Sequence, residues 1–371
     1  MKKRKMVFVF LLMVVVSVLI SSCNRVTLKV FLPTEYISLD LVKSFEKEYG
    51  VKVNVITFES NELAIPMIEN GSYDVVIPSD YAIEELASKN LFDEIDWSLI
   101  DTKKSELSTN LLTAVNKLNE GDNGFDLLKY SVPYFFGNIG ILYDTTKTIS
   151  YSSNSKTAKE VLELEGWNAL SYSSPSSKVS IYDSTRDMYM IALKKLYADN
   201  PQNLSVNNPT VEDINNATTW LKGLSNNPNV NIITDEILDD MAVSNKTKYA
   251  YSIAYSGDAI YLMDGNENLD YYVPESGTNV FIDAMCVPKN AANKDLAYKF
   301  INFFLDKDNQ YSNSSECGYT SVVQSVIEDI IKDEVYKESS YNIIVKNNDE
   351  VYRYNEELKN IMDNEWIKIK G

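Results

Sequence analysis

VTLKVFLPTEYISLDLVKSFEKEYGVKVNVITFESNELAIPMIENGSYDVVIPSDY, residues 26–81, carries three short β-rich runs separated by two helical patterns. The runs are LKVFL (28–32), VKVNVITF (51–58) and YDVVIP (73–78). A β-α-β-α-β unit of this kind makes a parallel sheet with helices on its faces. Ser38 stands where it caps the first helix and Gly50 where that helix ends, with Leu41, Val42, Phe45 and Tyr49 on one face. Ser60 precedes the second helix, in which Pro66 predicts a late start or a kink and Asn70-Gly71 the end. A third helix is expected over 82–91. Ligands of open α/β sheets sit beyond the carboxyl ends of the strands. Two loops leave such ends here, and each offers a hydroxyl, a carboxylate and a tyrosine: Thr34, Glu35 and Tyr36 in one, Ser79, Asp80 and Tyr81 in the other. Those three groups together suit an organic cation.

Upstream of this unit, Lys2-Lys3-Arg4-Lys5 precedes an apolar run over 6–20 and then Ser21-Ser22-Cys23. A basic start, an apolar middle and small residues before a cut site make a secretory leader. The Cys after two small residues resembles a lipobox, which implies cleavage before Cys23 and a diacylglyceryl thioether on its sulfur. The other reading is an uncleaved anchor, although the run of 15 residues falls short of the roughly 20 that a spanning helix needs. Both readings put the bulk of the chain outside the cytoplasm and tethered to the membrane. Removing residues 1–22 leaves 349 residues, enough for two domains, and takes the formal charge from −18 to −22. That charge disfavours nucleic acid and attracts cationic partners, or serves solubility alone.

The chain has no histidine. This excludes Ser-His-Asp and Cys-His nucleophiles and the commonest zinc ligand. Beyond Cys23 there remain Cys286 and Cys317, too few for a structural zinc site. Cys286, inside the apolar run AMCVP, reads as a core residue, and a 286–317 disulfide is the alternative. Walker, GxGxxG and GxSxG loops are absent. No cofactor and no metal are expected.

TEY (34–36), FESNE (58–62) and YDVVIPSDY (73–81), in this order and spacing, resemble the start of bacterial polyamine-binding proteins, the receptors of spermidine/putrescine ABC importers. The resemblance extends over about residues 26–365. It implies an α/β, two-lobed type II periplasmic-binding-protein fold, each lobe a mixed, mostly parallel sheet flanked by helices, with a hinge of two or more crossovers. The expected division is a leader over 1–22, a first lobe over 26–136 plus 284–323, and a second over 137–283 plus 324–371. YSVPYFFG (130–137) followed by Ile141-Leu142-Tyr143 matches the segment where this family first crosses between lobes; by itself it reads as a Pro-bounded buried strand. NVFIDAMCVP (279–288) is similar to the family's return crossing.

Between the crossings, 151–156 reads as a Ser-rich surface loop and Thr157 as the start of a helix. The strand KVSIYD (178–183) leads into a helix with Met188, Ile191, Ala192 and Leu196 inward. A helix over 210–224 turns Val211, Ile214, Ala217, Leu221 and Leu224 inward. Strands are expected at 229–233 and 248–255, a helix over 293–309, and an amphipathic tail bearing Val351, Leu358, Ile361 and Trp366.

The resemblance assigns a ligand site. Thr34, Glu35, Tyr36, Ser79 and Tyr81 come from the first lobe. The family's strand-to-helix turn carries two acids, which align with Ser184 and Asp187, so the first is missing here. Asp183 either replaces it or caps the helix. Tyr255 takes the place of a family tryptophan, or is a core tyrosine at a strand end. Asp283 is an acid in an apolar strand, and it needs a cationic partner from the ligand or from a protein Lys or Arg. Phe281 forms the wall beside it, Tyr319 corresponds to a ligand-contacting tyrosine, and Asn342 to a family glutamine. Acids neutralise ammonium groups and rings cover methylenes, at about 1.5–3 kcal/mol for a charged hydrogen bond and up to roughly 2 for a cation–π contact.

The expected function is that of a lipid-anchored, monomeric substrate-binding subunit. It would take a polyamine between its lobes and deliver it to ABC permease subunits, without making or breaking a bond. Other readings are the same fold with another organic cation, a surface lipoprotein binding a host macromolecule, and a hydrolase using a carboxylate pair such as Glu35 and Asp283.

Overall fold

The computed structural model describes residues 25–120, 124–201, 204–234 and 236–370. The leader and Cys23 lie outside the described residues. β1 (Thr27–Pro33) runs between β2 (Lys52–Phe58) and β3 (Val75–Val76), all parallel. The crossovers are α1 (Leu39–Tyr49) and α2 (Asn61–Asn70). Ser38 Oγ accepts from the Leu41 N–H, and Gly50 closes α1 in the left-handed conformation at φ 68°. α2 starts directly at its cap Ser60 rather than late, with Pro66 inside it. Pro66, in the second turn, forfeits the bond to the Glu62 carbonyl, and the helix continues through it to Asn70. α3 (Asp80–Ser88) begins two residues before the expected start at 82.

After α4 (Thr109–Leu118) comes the longest strand among the described residues, β4 (Val132–Asp144), buried along its whole length. Its first half pairs antiparallel with β11 (Val280–Met285) and β12 (Thr320–Ser321). Its second half pairs with β9 (Tyr251–Tyr255) and β10 (Leu269–Tyr272). β7 (Val179–Tyr182) and β8 (Val230–Ile233) complete this sheet in the order β10-β4-β9-β7-β8, with β7 parallel to both its neighbours. β11 in turn reaches the first sheet through the bridges Val76↔Cys286 and Ser79↔Asp283. Two chain crossings therefore lie side by side, β4 outward and β11 back, as expected of a two-lobed type II fold.

Several local expectations change. Residues 151–156 are not a loop but most of a hairpin, β5 (Thr148–Tyr151) with β6 (Asn154–Thr157), turned through Ser152 at φ 54°. Thr157 ends that hairpin and caps α5 (Ala158–Glu165) in a reciprocal bond with Glu160. α6 (Thr185–Leu196) is covered by α7 (Val211–Ser225) and α12 (Glu356–Lys370), so residues 188–194 are all buried, and only its last residue, Leu196, turns out. Val211, the first residue of α7, is exposed rather than inward. In α12, Trp366 is buried but Ile361 faces solvent.

The chain leaves β9 into α8 (Ser256–Gly265). The helix expected over 293–309 is two, α9 (Lys294–Leu305) and α10 (Lys307–Cys317). They are broken at Asp306, whose carboxylate accepts from the Asp308 and Asn309 N–H groups. α11 (Gln324–Lys332) packs on α10 and β12. Cys286 is a buried free thiol and Cys317 a half-buried one, so no disulfide joins them.

Asp80 couples the first lobe to the return crossing. It is fully buried, its Oδ2 accepts from the Ile282 N–H at 2.8 Å and its Oδ1 from the Tyr81 N–H at 2.7 Å. Asp80→Ala is expected to lower the unfolding free energy by about 2 kcal/mol, the cost of a buried N–H left without an acceptor. Urea denaturation followed by circular dichroism measures it.

Candidate ligand-binding cleft

Asp283 lies where β4 and β11 pair, and it is 5% exposed. The Tyr36 hydroxyl donates to its Oδ2 at 2.6 Å and the Ser79 hydroxyl to its Oδ1 at 2.5 Å. Both donors are positioned by others. Tyr134 donates to the Tyr36 carbonyl, and Asn61 holds Ser79 through both its amide nitrogen and its amide oxygen. Among the described residues no Lys or Arg bonds to Asp283. Burial pushes its pKa up to about 6, against the two hydroxyl bonds that favour the charged form. Burial likewise pushes neighbouring Asp80 up to about 8, the Asp283 charge adding to the effect.

A second acid, Asp187 in the first turn of α6, is also 5% exposed. It accepts from the Tyr255 hydroxyl at 2.7 Å and from the Tyr352 hydroxyl at 3.4 Å, and burial raises its pKa. A run of rings joins the two acids: Tyr182 to Tyr255 at 5.3 Å between centroids, Tyr255 to Phe281 at 5.4 Å, Phe281 to Tyr319 at 6.4 Å and Tyr319 to Tyr36 at 4.6 Å. Tyr319 is set by Gly257, since a Cβ there would lie 2.5 Å from its ring, and its hydroxyl donates to Asp258. Tyr81 donates to Glu62 at 3.0 Å, and the Arg186 guanidinium lies over its ring.

The C-terminal segment closes this face. Glu350 accepts from the buried Lys194 ammonium, and Arg353 grips Glu84 of α3 with Nε and Nη2 at 3.1 and 2.7 Å. Tyr352 is thereby laid edge-on against Tyr81.

Of the residues picked from sequence, Tyr36, Ser79, Tyr81, Asp187, Tyr255, Phe281, Asp283 and Tyr319 converge. The others stand elsewhere. Thr34 is exposed and donates to the Phe58 carbonyl, and Glu35 is exposed on a left-handed turn at φ 55°. Ser184 is the cap of α6, accepting from the Asp187 N–H. Asp183 neither caps nor joins the cleft, but accepts from Trp366 and Lys370. Asn342 follows a short helical turn, its N–H donating to the Glu338 carbonyl. Glu62, Tyr182, Arg186 and Tyr352 were missed. Glu62 lay inside the quoted motif FESNE, Tyr182 inside the strand KVSIYD and Arg186 between Ser184 and Asp187, whereas Tyr352, in an irregular segment, carried no sequence signal.

Two buried acids, hydroxyls that orient them and a path of rings between them can hold a cation at each end of an apolar chain. No group of three or more His, Cys, Asp or Glu suited to a metal ion exists among the described residues. Residues 40–339 match the family described as bacterial extracellular solute-binding protein. The chain belongs to that family. Its members bind solutes outside the cytoplasm and are not enzymes. The spermidine/putrescine-binding periplasmic protein of Escherichia coli (strain K12) is 28% identical over 291 residues, 77% of this chain and 74% of that protein. Among solved structures, a putative spermidine/putrescine ABC transporter from Listeria monocytogenes superposes with a TM-score of 0.75 at 29% identity, over 93% of this chain and 98% of that one. The spermidine/putrescine ABC transporter substrate-binding protein PotD from Streptococcus pneumoniae strain Canada MDR_19A gives 0.71 at 25% identity, over 93% and 98%. No helix among the described residues is long and apolar enough to cross a membrane.

The raised Asp283 pKa has a pH signature. The native state holds this proton more tightly than the unfolded chain, so its contribution to stability is lost as pH rises from about 4 to about 6. Relative to wild type, Asp283→Asn is expected to gain roughly 3 kcal/mol of stability across that window, with a smaller further gain up to about pH 8 because the Asp283 charge no longer raises Asp80. Melting curves of both proteins at pH 4, 5, 6 and 7.5 give the difference.

Proposed function

We propose that this solute-binding protein is the substrate-binding subunit of a polyamine ABC transporter, taking spermidine or putrescine between its lobes and delivering it to the permease. One observation carries this reading: Asp283 and Asp187, two buried acids, stand at opposite ends of a path of aromatic rings, and each is held by a tyrosine hydroxyl. The relatives named for these ligands support it, as does the match in the order of the sequence motifs. The leader with Cys23 supports a diacylglyceryl anchor that keeps the chain on the outer face of the membrane. The proposed lobes are 26–136 plus 284–323 and 137–283 plus 324–371, with α11 moved to the first lobe because it packs on α10 and β12. Another organic cation is the second reading, favoured by Ser184 acting as a neutral helix cap where the family resemblance implies an acid.

Binding brings an ammonium group to each acid while the rings cover the methylenes between. The hydroxyls of Tyr36, Ser79 and Tyr255 then remain as bonds that orient the carboxylates. In the full-length chain, a hundredfold excess of ligand over Kd is expected to add about 2.7 kcal/mol, visible as a rise of several degrees in Tm with putrescine or spermidine. No rise with either, from folded protein, sends the assignment to other cations. Because Asp283 must give up its proton to pair with an ammonium, affinity is expected to fall by up to tenfold per pH unit below about 6 and to level off above it. Titration calorimetry at pH 5, 6 and 7.5 reads the slope, and proton release shows in buffers of different ionisation heat.

A further inference from the structure

We infer that Arg353 and Glu84 form a latch between the two sides of the cleft: their ion pair holds the sides together without a ligand and slows the release of one once bound. The inference rests on the polyamine reading above and deepens it. Asp80 fastens the start of α3 to β11 through the Ile282 N–H. One helical turn later, Glu84 reaches the C-terminal segment. It accepts from Arg353 Nε at 3.1 Å, from Arg353 Nη2 at 2.7 Å and from the Tyr354 N–H at 2.8 Å. On the same helix Tyr81 meets Tyr352 edge to face, at 6.1 Å between centroids and 86° between planes.

The segment that carries Arg353 is fastened to the other side, around α6. Asn207 accepts from the Arg353 N–H at 3.0 Å and donates to the Val351 carbonyl at 2.9 Å. The Tyr352 hydroxyl donates to the Arg186 carbonyl at 3.0 Å and reaches Asp187. Glu350 accepts from the Lys194 ammonium, the Ser205 hydroxyl and the Val206 N–H. The two attachments differ in kind. Lys194 has a side chain 1% exposed, and stripping Glu350 from it would leave a buried charge without its partner. Arg353 and Glu84 are 22% and 14% exposed, so water reaches both charges once they part. Opening therefore breaks the bonds to Glu84 and leaves the segment on α6. A two-pronged guanidinium–carboxylate pair re-forms in one geometry only. Each closure then returns Tyr352 to Tyr81, beside Asp187. Arg353 acts on the ligand through this placement, as a positioning residue.

Amide hydrogen exchange of the full-length chain, resolved to single residues and run without ligand, tests the inference, because the Tyr354 N–H is part of the latch. Wild type is expected to protect it. Arg353→Gln leaves Glu84 able to accept from that N–H, yet is expected to speed its exchange at least tenfold. The Ile282 N–H, bonded to Asp80, is expected to exchange as before. Glu84→Gln keeps an oxygen acceptor, removes the charge and is expected to do the same, and the double variant adds nothing to either single change. High salt, which screens a pair partly open to water, speeds exchange at Tyr354 more than at Ile282 in wild type. In stopped-flow dilution, both single variants are expected to release putrescine at least tenfold faster than wild type. Tyr354 exchanging as fast in wild type as in folded Arg353→Gln overturns the inference. So does an additive effect in the double variant, or release at the wild-type rate from both folded variants. If Arg353→Gln does not fold by its melting curve, Glu84→Gln decides; if neither folds, the salt response of wild type decides. If neither putrescine nor spermidine binds wild type, the polyamine reading falls and the exchange rates alone decide the latch.

Discussion

A carboxylate inside an apolar strand is costly unless something neutralises or solvates it. Asp283 sits in such a strand, on the return crossing between lobes, and much else is arranged around its needs. Tyr36 arrives from the loop after β1 and Ser79 from the loop after β3, so the carboxyl ends of two strands of the first sheet meet on one acid. Asn61 and Tyr134 fix those two donors. Asp80, next to Ser79, ties the same loop to the backbone of β11 one residue before Asp283. Neutral hydroxyls satisfy the geometry of the carboxylate but not its charge. On the proposed reading, a cationic solute meets that charge.

The first sheet and its two crossovers were legible in residues 26–81, because period-two and period-3.6 patterns alternate there with caps at Ser38 and Ser60. So were the two crossing segments, each through its apolar run around Pro133 or Asp283, although their pairing with each other was not. The errors fell where short-range and long-range demands differ. A Ser-rich stretch becomes a hairpin because Ser152 accepts a left-handed turn. A continuous helical pattern breaks at Asp306 because a carboxylate there caps a new helix better than it continues an old one. Leu196 and Val211 face solvent because each lies at a helix end, where the periodic face no longer meets a neighbour.

The cleft was about two-thirds legible, and its missing parts share a cause. Tyr36, Ser79, Tyr81, Asp187, Tyr255, Phe281, Asp283 and Tyr319 lie in β11, at the end of β9, or in the loops and first helical turns that follow strands, where motif and topology agree. Thr34 and Glu35 share a motif with Tyr36, but the left-handed turn at Glu35 sends the tyrosine in and leaves its two neighbours out. Tyr352 enters the cleft only because Arg353 is clamped on Glu84 and Glu350 on Lys194. Those contacts join residues more than 150 positions apart, beyond any local pattern.

The pairing of β4 with β11 has a mechanical consequence. An antiparallel ribbon twists readily, but it resists sliding, because any slip of register breaks several hydrogen bonds at once. With Gly137 opposite Phe281 and Phe135 opposite Asp283, rotation about the ribbon is permitted while translation along it is not. Any opening of the two halves about this ribbon would act like calipers with a locked slide, keeping the register that sets Asp283 opposite Phe135. On the proposed polyamine reading, such a device would measure the distance between charges on its guest, not merely their presence.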